Sequence, residues 1–195
     1  MITHAVRNLK LIITGCPCSG TMYVAKLLRS HGYNARHESL DYKAQEGLWW
    51  TGEAPMPEIE VSYTMNQWLD QFDIRDVPVI WLVREPTLVV NSWAAKGLIA
   101  TGVADFPFKM GLLSEMNKRT ANSNGLFDTH RIEDPDEHLL MSADAFVKPT
   151  LKKTQPPPRN ENSHNIGRVV DMKRSDLIAL KNGQEFFESY KDLYA

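Results

Sequence analysis

The sequence predicts an α/β protein with a small parallel sheet and helices on both of its faces, a three-layer arrangement. Three observations carry that expectation. A β-branched apolar run, Lys10–Thr14, ends on Gly15 and leads into helical spacing over Thr21–Ser30, where Met22, Val24, Ala25, Leu27 and Leu28 recur on one side. A short extended segment, Tyr33–Glu38, follows, so the order is strand, helix, strand, which favours parallel pairing through a crossover. The run Pro78–Val83 is almost continuously apolar, as a strand buried on both faces requires.

The remaining elements follow in order. The first helix stops at His31-Gly32, because glycine is the usual residue just past a helix C-terminus. After Gly47–Trp50, the run Glu58–Phe72 sets Ile59, Tyr63, Met65, Trp68, Leu69 and Phe72 on one helical face and reads as a helix. Pro86 opens a further helix over Thr87–Leu98, since proline suits a first turn. Weaker patterns predict helices over Met110–Asn122 and Asp136–Phe146, and no fourth strand is assigned between them. Lys148–His164 is rich in proline and poor in apolar residues and reads as a loop or mobile segment. Val169-Val170 reads as a short strand, and Ser175–Tyr194 as helix interrupted at Asn182-Gly183.

The chain of 195 residues, 43% hydrophobic, reads as one domain over its whole length. Its 22 Lys+Arg against 24 Asp+Glu leave a net charge of -2, without the basic field that binds nucleic acid or anionic membrane indiscriminately. Neither a leader-like stretch nor an apolar run long enough for a membrane span stands near the start, so a cytoplasmic protein is expected. Two cysteines, Cys16 and Cys18, are too close together to staple a fold.

Those cysteines belong to Gly15-Cys16-Pro17-Cys18-Ser19-Gly20-Thr21, between a strand and a helix, where a phosphate-cradling loop belongs. Glycines let backbone N–H groups turn inward, and the helix N-terminus adds partial positive charge. The Gly-x4-Gly spacing matches the start of a Walker A loop, but Thr21 stands where the loop's lysine would follow. A plain Gly/Pro turn is the competing reading, and a Cys-x-Cys thiol site is a second competitor.

The other informative segment is Leu82-Val83-Arg84-Glu85-Pro86 with Asn91-Ser92-Trp93. Arg84 ends a buried strand at the edge where open α/β sheets bind ligands. It can fork onto a phosphate while Ser92 adds a hydroxyl, or it can pair with Glu85 or another carboxylate as a strand-end ion pair.

Together these segments resemble the sulfotransferase family, whose members use 3′-phosphoadenosine 5′-phosphosulfate (PAPS) and release adenosine 3′,5′-bisphosphate (PAP). GCPCSGTMYVAKLL is similar to the family's 5′-phosphosulfate loop and LVREPTLVVNSW to its 3′-phosphate segment. His37-Glu38 and Gly47–Trp50 are similar to stretches of its bacterial branch. The resemblance covers residues 10 to 97, is faint from Asn162 onward, and implies a P-loop NTPase-like fold. It implies a cofactor site made of Gly15, Pro17, Cys18, Ser19, Gly20, Thr21, Arg84 and Ser92. A small-molecule or saccharide hydroxyl or amine is the implied acceptor, with no nucleic-acid or membrane partner. A non-catalytic binder of PAP or another nucleotide, and a divergent P-loop nucleotide kinase, are the alternatives.

One departure is chemical. The family carries Lys or Arg where this chain has Cys18, so an active enzyme needs a substitute such as Lys26, Arg36, Lys153, Arg159 or Arg168, and the late cluster of Lys152, Lys153, Arg159 and Arg168 is the expected source. The family uses His or Glu as the base that takes the acceptor's proton. Neighbours on a strand face opposite sides, so only one of His37 and Glu38 is expected to serve; the similar His-Glu pair of the family's bacterial branch implies Glu38, with His37 as the runner-up. Trp49, Trp50, Trp68 and Trp93 suit either a pocket or the core. His130 and His138, among Asp128, Glu133, Asp134 and Glu137, read as a solvated acidic surface, and no metal is expected.

Overall fold

The computed structural model describes residues 4–5, 8–39, 57–63, 72–73, 77–96, 126–159 and 173–194, together with 111, 114 and 118. Five strands form one parallel sheet: β2 (Leu11–Gly15), β3 (Ala35–His37), β4 (Ile59–Val61), β6 (Val79–Val83) and β7 (Leu126–Arg131). Two-residue strands β1 (His4–Ala5) and β5 (Phe72–Asp73) pair separately, also in parallel. The main sheet runs β3-β4-β2-β6-β7, or 2-3-1-4-5 counting its strands along the chain, an order consistent with P-loop-like topology.

Alternation along the strands separates two apolar layers. Leu11 and Ile13 of β2, Ile59 and Val61 of β4, and Ile80 and Leu82 of β6 face helix α1 (Thr21–Ser30) and helix α3 (Asp136–Asp144), where Val24, Leu27, Leu28, Leu139 and Ala143 complete the packing. Trp81 and Val83 point to the other face and meet α2 (Pro86–Ala95), α4 (Arg174–Ala179) and α5 (Gly183–Tyr194) through Val89, Val90, Trp93, Leu177 and Phe186. Leu27 and Leu28 are essentially unexposed, and each contributes roughly 2 kcal/mol of apolar burial. Tyr23 of α1 and Tyr33 just beyond it add hydroxyl bonds of 2.6 Å to Asp136 and Asp144, tying α1 and the turn that follows it to α3.

The structure corrects several expectations. Ile59–Val61 is a strand inside the predicted 58–72 helix, wedged between β2 and β3 and paired with both. Ile-Glu-Val is too short for periodicity to separate helix from strand, and two waiting ladders decide it. β7 occupies the region where no strand was assigned, because an edge strand needs little apolar content. Helix α1 closes as expected, with the Gly32 N–H donating to the Arg29 carbonyl and the Tyr33 N–H to that of Leu28. Residues 148–159 form no regular element, but Thr150 and Leu151 donate to the Gly32 carbonyl and Thr154 to that of Ser30, fastening the segment to the end of α1. The break at Asn182 falls between α4 and α5. Trp49, Trp50, Trp68, Met65, Leu69, Arg168, Val169-Val170, Asn162–His164 and most of 110–122 lie outside the described residues.

Candidate functional site

Because the sheet is parallel, Gly15, His37, Val61, Val83 and Arg131 end their strands on one edge. From β2 the chain turns towards β3, whereas from β4 it crosses to β6, so the connections diverge at β2, the kind of switch point at which open α/β sheets bind ligands. The loop 16–20 lies at that point. It needs both of its glycines: a Cβ on Gly15 would meet the Leu82 carbonyl oxygen and Ser19 Oγ at 2.5 Å, and Gly20 adopts φ 102° with the Ile132 side chain 2.8 Å from where its Cβ would stand. Cys18 also has positive φ, 68°. The Ser19 N–H donates to the Cys16 carbonyl, closing the turn.

Two features make this loop receptive to an anion. Helix α1 begins at Gly20 with no side-chain cap and no acidic residue in its first turn, which leaves its leading N–H groups and partial positive charge at the loop. Ser19 Oγ is fully buried and has no hydrogen-bond partner among the described residues, and it is folded over the Gly15 backbone inside the loop. An orphaned buried hydroxyl costs about 1–3 kcal/mol and is relieved by an acceptor.

The predicted residues converge only partly as expected. Arg84 reaches the loop: its Nη1 donates to the Cys18 carbonyl at 3.1 Å. Its pairing with Glu85 is not made; the Glu85 carboxylate caps α2, accepting from the Leu88 N–H at 3.0 Å and from the Thr87 hydroxyl. Ser92 lies two turns into α2 and is buried, and Pro17 is buried within the loop. Trp93 belongs to the core layer behind the loop, against which Cys18 packs.

His37 and Glu38 depart from strict alternation. β3 ends at His37, and Glu38 takes φ 52°, which swings its carboxylate back to 3.5 Å from His37 Nε2. The same nitrogen lies 3.2 Å from Thr21 Oγ1. Burial, reinforced by the positive charges of Arg29 and Lys96, pushes the His37 pKa down to about 4. At neutral pH the imidazole is therefore an uncharged hydrogen-bonding partner of the loop threonine.

Among the described residues none of the expected substitute cations hydrogen-bonds to the loop, and Arg168 lies outside them. Lys26 is exposed along α1, and Lys153 sits beside the Ser30 end of that helix, the far end from the loop. Arg159 is engaged by the Ile132 and Asp134 carbonyls and stands 3.9 Å from Asp136. Besides Arg84, the cation that reaches the loop among the described residues is Lys96, the C-cap of α2, whose Nζ is 3.5 Å from Cys18 Sγ. No sequence pattern singles it out, since lysine closes many helices for dipole reasons alone.

Away from the site, Asp128, Glu133, Glu137 and His138 are exposed as expected, whereas His130 is buried and its pKa is lowered mainly by that burial. Among the described residues no three His, Cys, Asp or Glu side chains come together as a metal site, and no helix is long and apolar enough to cross a membrane. No protein-family model and no curated protein matches the chain.

Proposed function

We propose that the protein is a PAPS-dependent sulfotransferase acting on a hydroxyl or amine of a small molecule or saccharide. The observation that carries this reading is the loop itself: an uncapped helix N-terminus and an orphaned buried hydroxyl, at the carboxyl edge of a 2-3-1-4-5 sheet, beside Arg84. Bound there, PAPS supplies the sulfuryl group.

The chain's own residues then have distinct roles. Ser19, Thr21 and the first N–H groups of α1 hold the sulfated end, while Arg84 and Ser92 hold the 3′-phosphate, Arg84 keeping one arm on the Cys18 carbonyl so that ligand and loop are braced together. Glu38, about a third exposed, receives the acceptor's proton. His37, neutral and largely enclosed, orients that carboxylate when its proton is on Nε2, the nitrogen that stands 3.5 Å from Glu38 and 3.2 Å from Thr21 Oγ1 and then donates to both. A positioned base is worth about 10² to 10⁴ in rate.

Calorimetry with PAP and AMP tests the cofactor: PAP binds at least about tenfold more tightly, as a phosphate with charge-assisted bonds requires. Equal affinities overturn the assignment. Glu38→Gln leaves PAP affinity within a few-fold and lowers turnover by about 10² or more. If His37→Ala abolishes turnover and Glu38→Gln spares it, the two roles are reversed. PAP affinity with no transfer to any acceptor identifies a binder that has lost the reaction.

A further inference from the structure

We propose that Lys96, delivered from the C-terminal end of α2, is the cation of the anion loop and occupies in space the place that residue 18 leaves empty of charge. The inference rests on the reading above only in taking the loop as the anion site.

Geometry supports it from two sides. Lys96 Nζ is 3.5 Å from Cys18 Sγ, and among the described residues this thiol is its sole polar contact. A lysine closing a helix ordinarily folds back onto the last carbonyls of its own helix. Here the ammonium instead reaches away from α2 towards the loop. Its charge is also felt at His37, whose Nε2 touches Thr21 Oγ1, the first residue of α1 after the loop. A compact ammonium with three donors and only a weak sulfur acceptor has most of its hydrogen-bonding capacity left for a ligand.

The helix geometry explains how one element serves both sides. A ten-residue helix is about 15 Å long. Arg84, just before its first turn, and Lys96, just after its last, converge on the carbonyl and the thiol of the same residue, Cys18. The loop therefore lies along the flank of α2 with a cation approaching from each end. A bound anion at Ser19 completes the set: a hydroxyl from the loop, N–H groups from α1 and an ammonium from α2. Charge at position 96 does the work of charge at position 18 because both side chains end at the same mouth.

The test uses inorganic pyrophosphate, which needs no nucleotide. In low-salt, phosphate-free buffer, wild type binds it and Lys96→Ala binds at least about tenfold more weakly, with an unchanged melting temperature because Lys96 is exposed. The double variant Cys18→Lys/Lys96→Ala recovers most of the lost affinity. Alkylation of Cys18 gives a second readout: wild type reacts faster with anionic iodoacetate relative to neutral iodoacetamide than Lys96→Ala does, and pyrophosphate protects the thiol. Pyrophosphate affinity within twofold of wild type in Lys96→Ala, an unchanged reagent ratio, or no pyrophosphate binding by wild type overturns the proposal. If pyrophosphate behaves as stated while PAP and PAPS fail to bind, Lys96 stands and the sulfotransferase reading falls.

Discussion

Ser19→Ala separates what the loop does for stability from what it does for binding, because the two effects have opposite signs. Ser19 Oγ is buried with no partner among the described residues, so the free protein carries the desolvation cost of a hydroxyl that water would otherwise satisfy. That cost is about 1–3 kcal/mol, and alanine removes it while deleting only one oxygen. The cavity left is small, since Oγ is already pressed against the Gly15 backbone. The variant should therefore be more stable than wild type by about 1–2 kcal/mol in anion-free buffer. For a chain of 195 residues this raises the melting temperature by roughly 2–6 °C. Binding moves the other way: a hydrogen bond to a charged oxygen is worth about 1.5–3 kcal/mol, so pyrophosphate affinity falls by roughly 10- to 100-fold. Thermal melts with and without saturating pyrophosphate, paired with calorimetry, read both effects. A lower melting temperature for Ser19→Ala without anion would show that the hydroxyl already stabilises the fold, and unchanged pyrophosphate affinity would show that it does not face the ligand. Either result refutes the reasoning.

Arg84→Ala should cost about 2–4 kcal/mol of PAP binding, with Arg84→Lys recovering only part because an ammonium cannot fork between a phosphate and the Cys18 carbonyl; a lower melting temperature with intact affinity would make Arg84 a loop strut only. His37 titrates near 6.5 when unfolded and near 4 when folded, so the unfolded chain takes the proton first and stability is lost as pH falls from about 6.5 to 4. The loss is at most about 3 kcal/mol, and urea melts of His37→Gln should show a flatter profile over that window; parallel profiles would refute it. Gly20→Ala should destabilise by about 1–3 kcal/mol, from its left-handed backbone and the contact with Ile132, and Ile132→Ala, which removes both Cγ1 and Cδ1, should return the steric part in the double variant. Full additivity of the two substitutions would show that they do not touch.

Local interactions made much of this protein legible in its sequence. The 10–30 strand, loop and helix are written in a β-branched run, two glycines and a helical apolar stripe, all within a few residues of each other. The β6 run and Pro86 mark the second strand-to-helix turn in the same way. These features place the loop and Arg84 on one sheet edge, because parallel strands end together whatever lies between them. Tertiary structure decided the rest. Ile59–Val61 became a strand because β2 and β3 offered it ladders on both sides, which three residues cannot announce. Glu38 turned back towards His37 through a positive φ that alternation does not anticipate. Lys96 met Cys18 across 78 positions of sequence, and Arg84 met it across 66. Backbone preference acts over one or two turns and leaves a record in spacing, whereas the meeting of two long side chains depends on where whole helices are packed, and that is settled only when the core closes.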